Sequence, residues 1–183
     1  MRKVIGHLRT INNHKMLVLK MCFRLGLYKQ GLLHDLSKYS LTEFIPGVRY
    51  YQGDRSPNAA EREINGTSSA WLHHKGRNKH HYEYWIDYSM NVEEGIVGQK
   101  MPLKYVVEMF VDRVAASKNY QGTNYTPAHP LHYYDGGSAL LGKMIHPDTA
   151  KLLRKLLVML KERGERETFA YIKKVVLKGK VSY

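Results

Sequence analysis

"NNHKMLVLKMCFRLG", residues 12–26, decides the fold class. Within it His14, Leu17, Val18, Met21, Cys22 and Leu25 recur at intervals of three and four, which sets them on one face of an α-helix. Asn12 or Asn13 suits the start of that helix as a cap, and Gly26 suits its end. The same reading extends along the chain. "GLLHDLSKYS", residues 31–40, belongs to a second helix, and "IPGVRYYQGDRSPN" reads as a connection with one short helical turn. A third helix is expected from about Asn58 to His74, stopping near Gly76. Pro102 opens a helix running to about Asn119. Two further helices, at about 147–163 and 165–178, part at Gly164. The stretch "HHYEYWIDYSMNVEEGIVGQKMP" carries mixed signals, and "YQGTNYTPAHPLHYYDGG" reads as a long loop. Clean strand alternation with hairpin turns is found nowhere. The expectation is all-α: one single-domain helical bundle over residues 1–183, with basic C-terminal helices at about 147–178.

Composition narrows the function classes. The single cysteine, Cys22, excludes an internal disulfide and a cysteine-based zinc site, and it fits a reducing cytoplasm. No apolar run approaches the ~20 residues of a membrane span, and the basic start "MRKVIGHLRTINNHK" has no apolar segment behind it to make a signal peptide. The net charge is +13. Residues 151–180 hold ten Lys or Arg against three Glu. Such a surface attracts phosphorylated small molecules and nucleic acid alike.

Several polar residues stand where a helical reading expects apolar ones. His14 lies on the apolar face of its helix. His34 and Asp35 follow Leu32 and Leu33 and precede Leu36. Asp112, in "VVEMFVDRVAASKN", has Glu108, Met109, Ala115 and Ala116 as its neighbours one turn away. Burying an ionised carboxylate costs several kcal/mol unless it is paired. One divalent cation would satisfy all four residues together, since imidazole and carboxylate both suit first-row metals.

A helix His, an adjacent His-Asp about twenty residues later and a distant Asp on another helix resemble the H…HD…D signature of the HD-domain metal-dependent phosphohydrolases. The matching positions are His14, His34, Asp35 and Asp112, with "HDLSK" similar to the HD-x-x-K form of that family. The resemblance implies an all-α bundle around one or two divalent transition-metal ions (Mn, Fe, Zn, Co or Ni). It also implies hydrolysis of a phosphate ester, an anionic small molecule such as a nucleotide. Asp35 and Lys38 would be catalytic, with Lys38 holding a phosphate oxygen as a point charge.

"WLHHKGRNKHHYEYW", residues 71–85, is the densest cluster of histidine in the chain. Some proteins of the HD superfamily bind a second metal through two further histidines between the His-Asp pair and the last Asp. His74 with His80 or His81 matches that pattern, with His73 a further candidate. Arg77 and His81, beside Lys38, are the phosphate-binding candidates. Glu83 is a candidate base, and the loop bearing His129, His132, Tyr133, Tyr134 and Asp135 is a candidate lid. Two other functions fit the same residues less directly: a di-iron HD-type oxygenase, and a nucleic-acid-binding protein using the outward Lys151, Arg154, Lys155 and Lys161. Neither a phosphate loop of the G-x-x-x-x-G-K type nor a nucleophilic triad is present.

Overall fold

The apolar face begins well before His14. In the computed structural model, which describes residues 1–137 and 144–183, α1 runs from Arg2 to Leu25 and buries His7, Ile11, His14, Val18, Met21, Cys22 and Leu25. Asn12 and Asn13 are therefore exposed interior residues of this helix and not its caps. The His7–Ile11 repeat carries the helix through them, because a buried face outweighs two mildly unfavourable propensities. The expected end holds: Gly26 takes the left-handed conformation at φ 80°, and Leu27 donates back to the Cys22 carbonyl at 2.9 Å.

Five helices follow α1 before the C-terminal pair. They are α2 (Tyr28–Leu33), α3 (Leu41–Arg49), α4 (Pro57–Asn65), α5 (Ser69–Lys75) and α6 (Leu103–Gln121). Several expectations need correction. "IPGVR" is helical, with Pro46 the sixth of the nine residues of α3, so the helix forms although the ring forfeits one interior backbone bond. The helix expected from Asn58 to His74 is two helices, because Gly66 stops α4 at φ 74°. The unassigned stretch holds a small antiparallel hairpin, β1 (Ile86–Tyr88) paired with β2 (Ile96–Gly98).

The loop expected at residues 120–137 contains α7 (His129–Gly137). His129 Nδ1 accepts from the Thr126 amide at 2.9 Å, which ties down the chain entering α7. The last α-helix, α8 (Pro147–Tyr171), runs on into a π-helical turn at Ile172–Val176 and is interrupted at Gly164 (φ 73°, ψ 178°), so the expected break stands. No helix among the described residues is long and apolar enough to cross a membrane.

The fold is all-α, with α6 at its centre. Val106 to Val111 are consecutively buried, and a helix apolar around most of its circumference must be covered on several sides. It packs against α1 and against α8, whose Leu152, Leu153, Leu156, Leu157 and Leu160 are buried. That core leaves one side of α6, carrying Glu108 and Asp112, facing the shorter helices.

α1 and α3 meet at Gly47. A Cβ there would lie 2.2 Å from Nε2 of His7, whose ring sits between Phe44 (5.4 Å between centroids) and Tyr51 (5.7 Å). Gly47→Ala must displace the His7 ring from between Phe44 and Tyr51 or move the two helices apart, at a cost of about 1–3 kcal/mol. Thermal unfolding followed by circular dichroism should show a midpoint lower by roughly 2–12 °C. An unchanged midpoint would mean that the helices do not approach this closely.

Candidate metal centre

His34 and Asp35 do not lie on a helix, contrary to the expectation from "LLHDLSKYS". Successive residues of an α-helix diverge by about 100°, so two neighbours could not both face one point. The chain solves this by breaking: α2 ends at Leu33, His34 is extended, and Asp35 takes the left-handed conformation at φ 54°. It is the one non-glycine residue with positive φ among those described. Aspartate is among the residue types that tolerate this region. A 3-10 turn, Leu36–Tyr39, then starts from the bend and carries Lys38. The leucines that flank the pair are half exposed, so tertiary structure and not its neighbours buries Asp35.

Other elements converge on Asp35. α1 presents His14, and α6 presents Glu108 and Asp112, one turn apart on one face. His73 and His74 occupy the last turn of α5. Beyond it, the Asn78 amide donates to the His74 carbonyl and to Ser37 Oγ, both at 2.8 Å, and this turn brings His80 and His81 back to the centre.

The result is two groups of ligand atoms sharing one carboxylate. Oδ2 of Asp35 lies 3.5 Å from His34 Nε2 and 3.9 Å from His14 Nε2. Asp112 Oδ1 completes that group, at 2.9 Å from His14 Nε2 and 3.5 Å from His34 Nε2. Oδ1 of Asp35 faces the other way, 3.3 Å from His74 Nε2 and 3.4 Å from His80 Nε2. His81 joins this second group with its Nε2 2.9 Å from that of His74. Within each group the candidate ligand atoms lie within 4.8 Å of one another. Ligands held about 2.0–2.2 Å from one ion are separated by roughly 2.9–3.5 Å along the edges of an octahedron or tetrahedron. Most of the distances above are of that size.

The donor set fits a cation by a second criterion. Neither Asp35 oxygen and not His80 Nε2 has a hydrogen-bond partner, although all three are buried. Lys38 Nζ stands 2.6 Å from Oδ2, an ion-pair contact without hydrogen-bond angles. That leaves Asp35 Oδ1 and His80 Nε2 orphaned, and polar atoms orphaned at such depth cost about 1–3 kcal/mol each. Ions held by the two groups would satisfy all of them.

The electrostatics follow from the crowding of opposite charges. Burial favours a neutral Asp35, but His34, Lys38, His74 and His80 outweigh it and hold the carboxyl well below its usual range. For His34, burial lowers the pKa, and Asp35, Asp112 and Glu108 together reverse this and push it up to about 10. Burial also opposes the charge on Lys38, and Asp35 more than restores it. His81 is held well below the usual imidazole range by burial, then by His80 and His74.

The structure thus gathers His14, His34, Asp35, Asp112, His74, His80 and His81, with Lys38 alongside. It leaves out His73, whose Nδ1 meets Glu43 at 2.7 Å, and Arg77, which is exposed and reaches the His73 carbonyl at 3.4 Å. Glu83 and the α7 residues belong to neither ligand group. Two carboxylates at the site were not foreseen. Glu43 and Glu108 are buried and engage the Nδ1 atoms of the candidate ligand histidines. The available signal for Glu108 was its place one turn before Asp112; Glu43 gave none, since its helix leads into a segment rich in glycine and proline.

Comparison with known proteins adds a family without an activity. No curated protein and no solved structure matches the chain. One family model matches residues 3–159, a span that includes every residue of both ligand groups. The chain therefore belongs to DUF5662, a family of unknown function.

Proposed function

We propose that the protein is a metal-dependent phosphohydrolase in which two divalent first-row ions share Asp35. His14, His34 and Asp112 would complete one site, and His74, His80 and His81 the other. The observation that carries this reading is the buried Asp35 carboxylate, with one oxygen towards each set of histidines, Oδ2 also meeting Lys38 and Oδ1 lacking a hydrogen-bond partner. The order of ligands along the chain supports the resemblance to the HD-domain phosphohydrolases. Ions bound there would acidify a water molecule and polarise a phosphoryl oxygen.

The chain's own residues supply the rest. Asp35 fixes the spacing of the two groups and keeps Lys38 charged. The side chain of Lys38 is 29% exposed, enough to meet a phosphate oxygen at the rim of the site. The substrate class is a small phosphate ester such as a nucleotide, and the basic surface would favour its approach. A cytoplasmic location agrees with a single buried free thiol, Cys22. A di-iron oxygenase is the second reading, because paired His and carboxylate ligands with a bridging carboxylate suit iron equally well. The nucleic-acid reading is weaker: Arg154 is engaged with Asp135 and Lys155 with the Tyr171 hydroxyl.

The test is hydrolysis of a panel of phosphate monoesters and nucleotides by protein reconstituted with Mn or Zn, followed by phosphate release. Turnover is expected, and Lys38→Met should lower kcat/KM by about 100-fold, the scale of losing one charge-stabilising donor. Metal-loaded protein that releases no phosphate, or that consumes oxygen with bound iron, would reject hydrolysis.

A further inference from the structure

Two ligand histidines from different groups are gripped by a single oxygen. Glu108 Oε1 lies 3.0 Å from His34 Nδ1 and 3.3 Å from His80 Nδ1. The two rings lie side by side, with centroids 4.3 Å apart and planes inclined by 34°. Their opposite edges point the Nε2 atoms at the two oxygens of Asp35, at 3.5 and 3.4 Å. We infer that Glu108 is a positioning residue that couples the two metal sites, holding His34 and His80 in the tautomer that presents Nε2 to each ion. This rests on the two-ion reading above.

The chemistry is that of a carboxylate accepting from the far nitrogen of a metal-bound imidazole, which fixes the ring and raises its basicity. Glu108 is buried and rigidly placed, one helical turn before Asp112 on the most enclosed helix of the bundle. His34, His80 and Glu108 could also be read as a third ligand group, since their atoms lie close together. That arrangement would spend the Nδ1 atoms on an ion and turn the Nε2 edges, which face Asp35, into bystanders. The 3.0 Å contact at His34 is a hydrogen bond, and the 3.3 Å ion-pair contact at His80 leaves its Nδ1 within reach of the same oxygen.

Glu43 provides the control. Its oxygens lie 2.8 Å from His74 Nδ1 and 2.7 Å from His73 Nδ1, so among the ligands its contacts serve the second group alone. Glutamine keeps an oxygen with two lone pairs, but it lacks the charge that strengthens both N–H contacts and raises the basicity of both rings.

The experiment is stepwise titration of metal-free wild type, Glu108→Gln and Glu43→Gln with Co(II), read by visible absorption in competition with a chelator. Two steps are expected in the wild type. Glu108→Gln should weaken both by about 10–100-fold, and Glu43→Gln should weaken one. Because a variant can fail to fold, the zinc-loaded wild type gives a second readout: 15N-resolved NMR should find His34 and His80 protonated at Nδ1. Weakening of a single step in Glu108→Gln, unchanged binding, or an unprotonated Nδ1 on either ring would overturn the coupling. Wild type that takes up no ion would overturn the two-ion reading and the coupling with it.

Discussion

Asp35→Asn should empty both metal sites while leaving the fold in place. Asparagine has nearly the same shape, and it is among the few residues that accept the left-handed backbone, here at φ 54°. Alanine would add backbone strain and confuse loss of a ligand with loss of the bend. What asparagine removes is the charge. Each group is then left with neutral imidazoles, and the first keeps Asp112 as its only anion. The side-chain NH2 would also face either His74 and His80 or His14 and His34. Outer partners of a metal ligand are worth about 10–100-fold in affinity, so loss of a shared ligand should exceed 100-fold at both sites. By contrast His14→Ala should affect the first site alone. Elemental analysis after gel filtration would resolve the two patterns. An Asp35→Asn protein that retains a full complement of metal would remove Asp35 from the ligand set.

Metal removal should lower thermal stability by a large and reversible amount. Free metal at a thousand times its dissociation constant stabilises a native protein by about 4 kcal/mol. For a chain of this size that corresponds to roughly 8–16 °C in the unfolding midpoint. The physical source is local: without an ion, Asp35 Oδ1 and His80 Nε2 stay buried with no hydrogen-bond partner. The metal-free protein should still unfold cooperatively, because the apolar core of α1, α6 and α8 is built from Val18, Phe110, Leu153, Leu156 and their neighbours and needs no ligand. Scanning calorimetry with chelator, and again after Mn or Zn is restored, would measure the difference. Equal midpoints in the two states would argue that the cluster stabilises itself.

The helices were legible in the sequence where one face alternates with solvent over many turns, as in α1 and α8, or where Pro102 marks the start, as in α6. Short elements were not. α3 was hidden by Pro46 and Gly47, which signal a connection, although Gly47 is there because the His7 ring leaves no room for a Cβ. The hairpin was hidden because its strands are three residues each, too short to display alternation. At the site, His14 and Asp112 could be found because they interrupt apolar helices, and the others because a His-Asp pair and a histidine-rich stretch stand out in the sequence. Their mutual arrangement could not. The bend at Asp35 depends on a backbone conformation that no neighbouring residue announces. The return of His80 and His81 depends on Asn78, whose partners come from 41 and 4 residues away. Glu108 and Glu43 are recognisable as partners of the histidines only when the rings they hold are in view.

The most direct test of the account is the number of metal ions per chain after the purified protein is reconstituted with Mn, Fe or Zn and freed of excess. Two ions per chain are predicted, with the two sites lost together in Asp35→Asn. A wild type that holds no ion after reconstitution would contradict the metal centre, and with it the hydrolase reading built on Asp35.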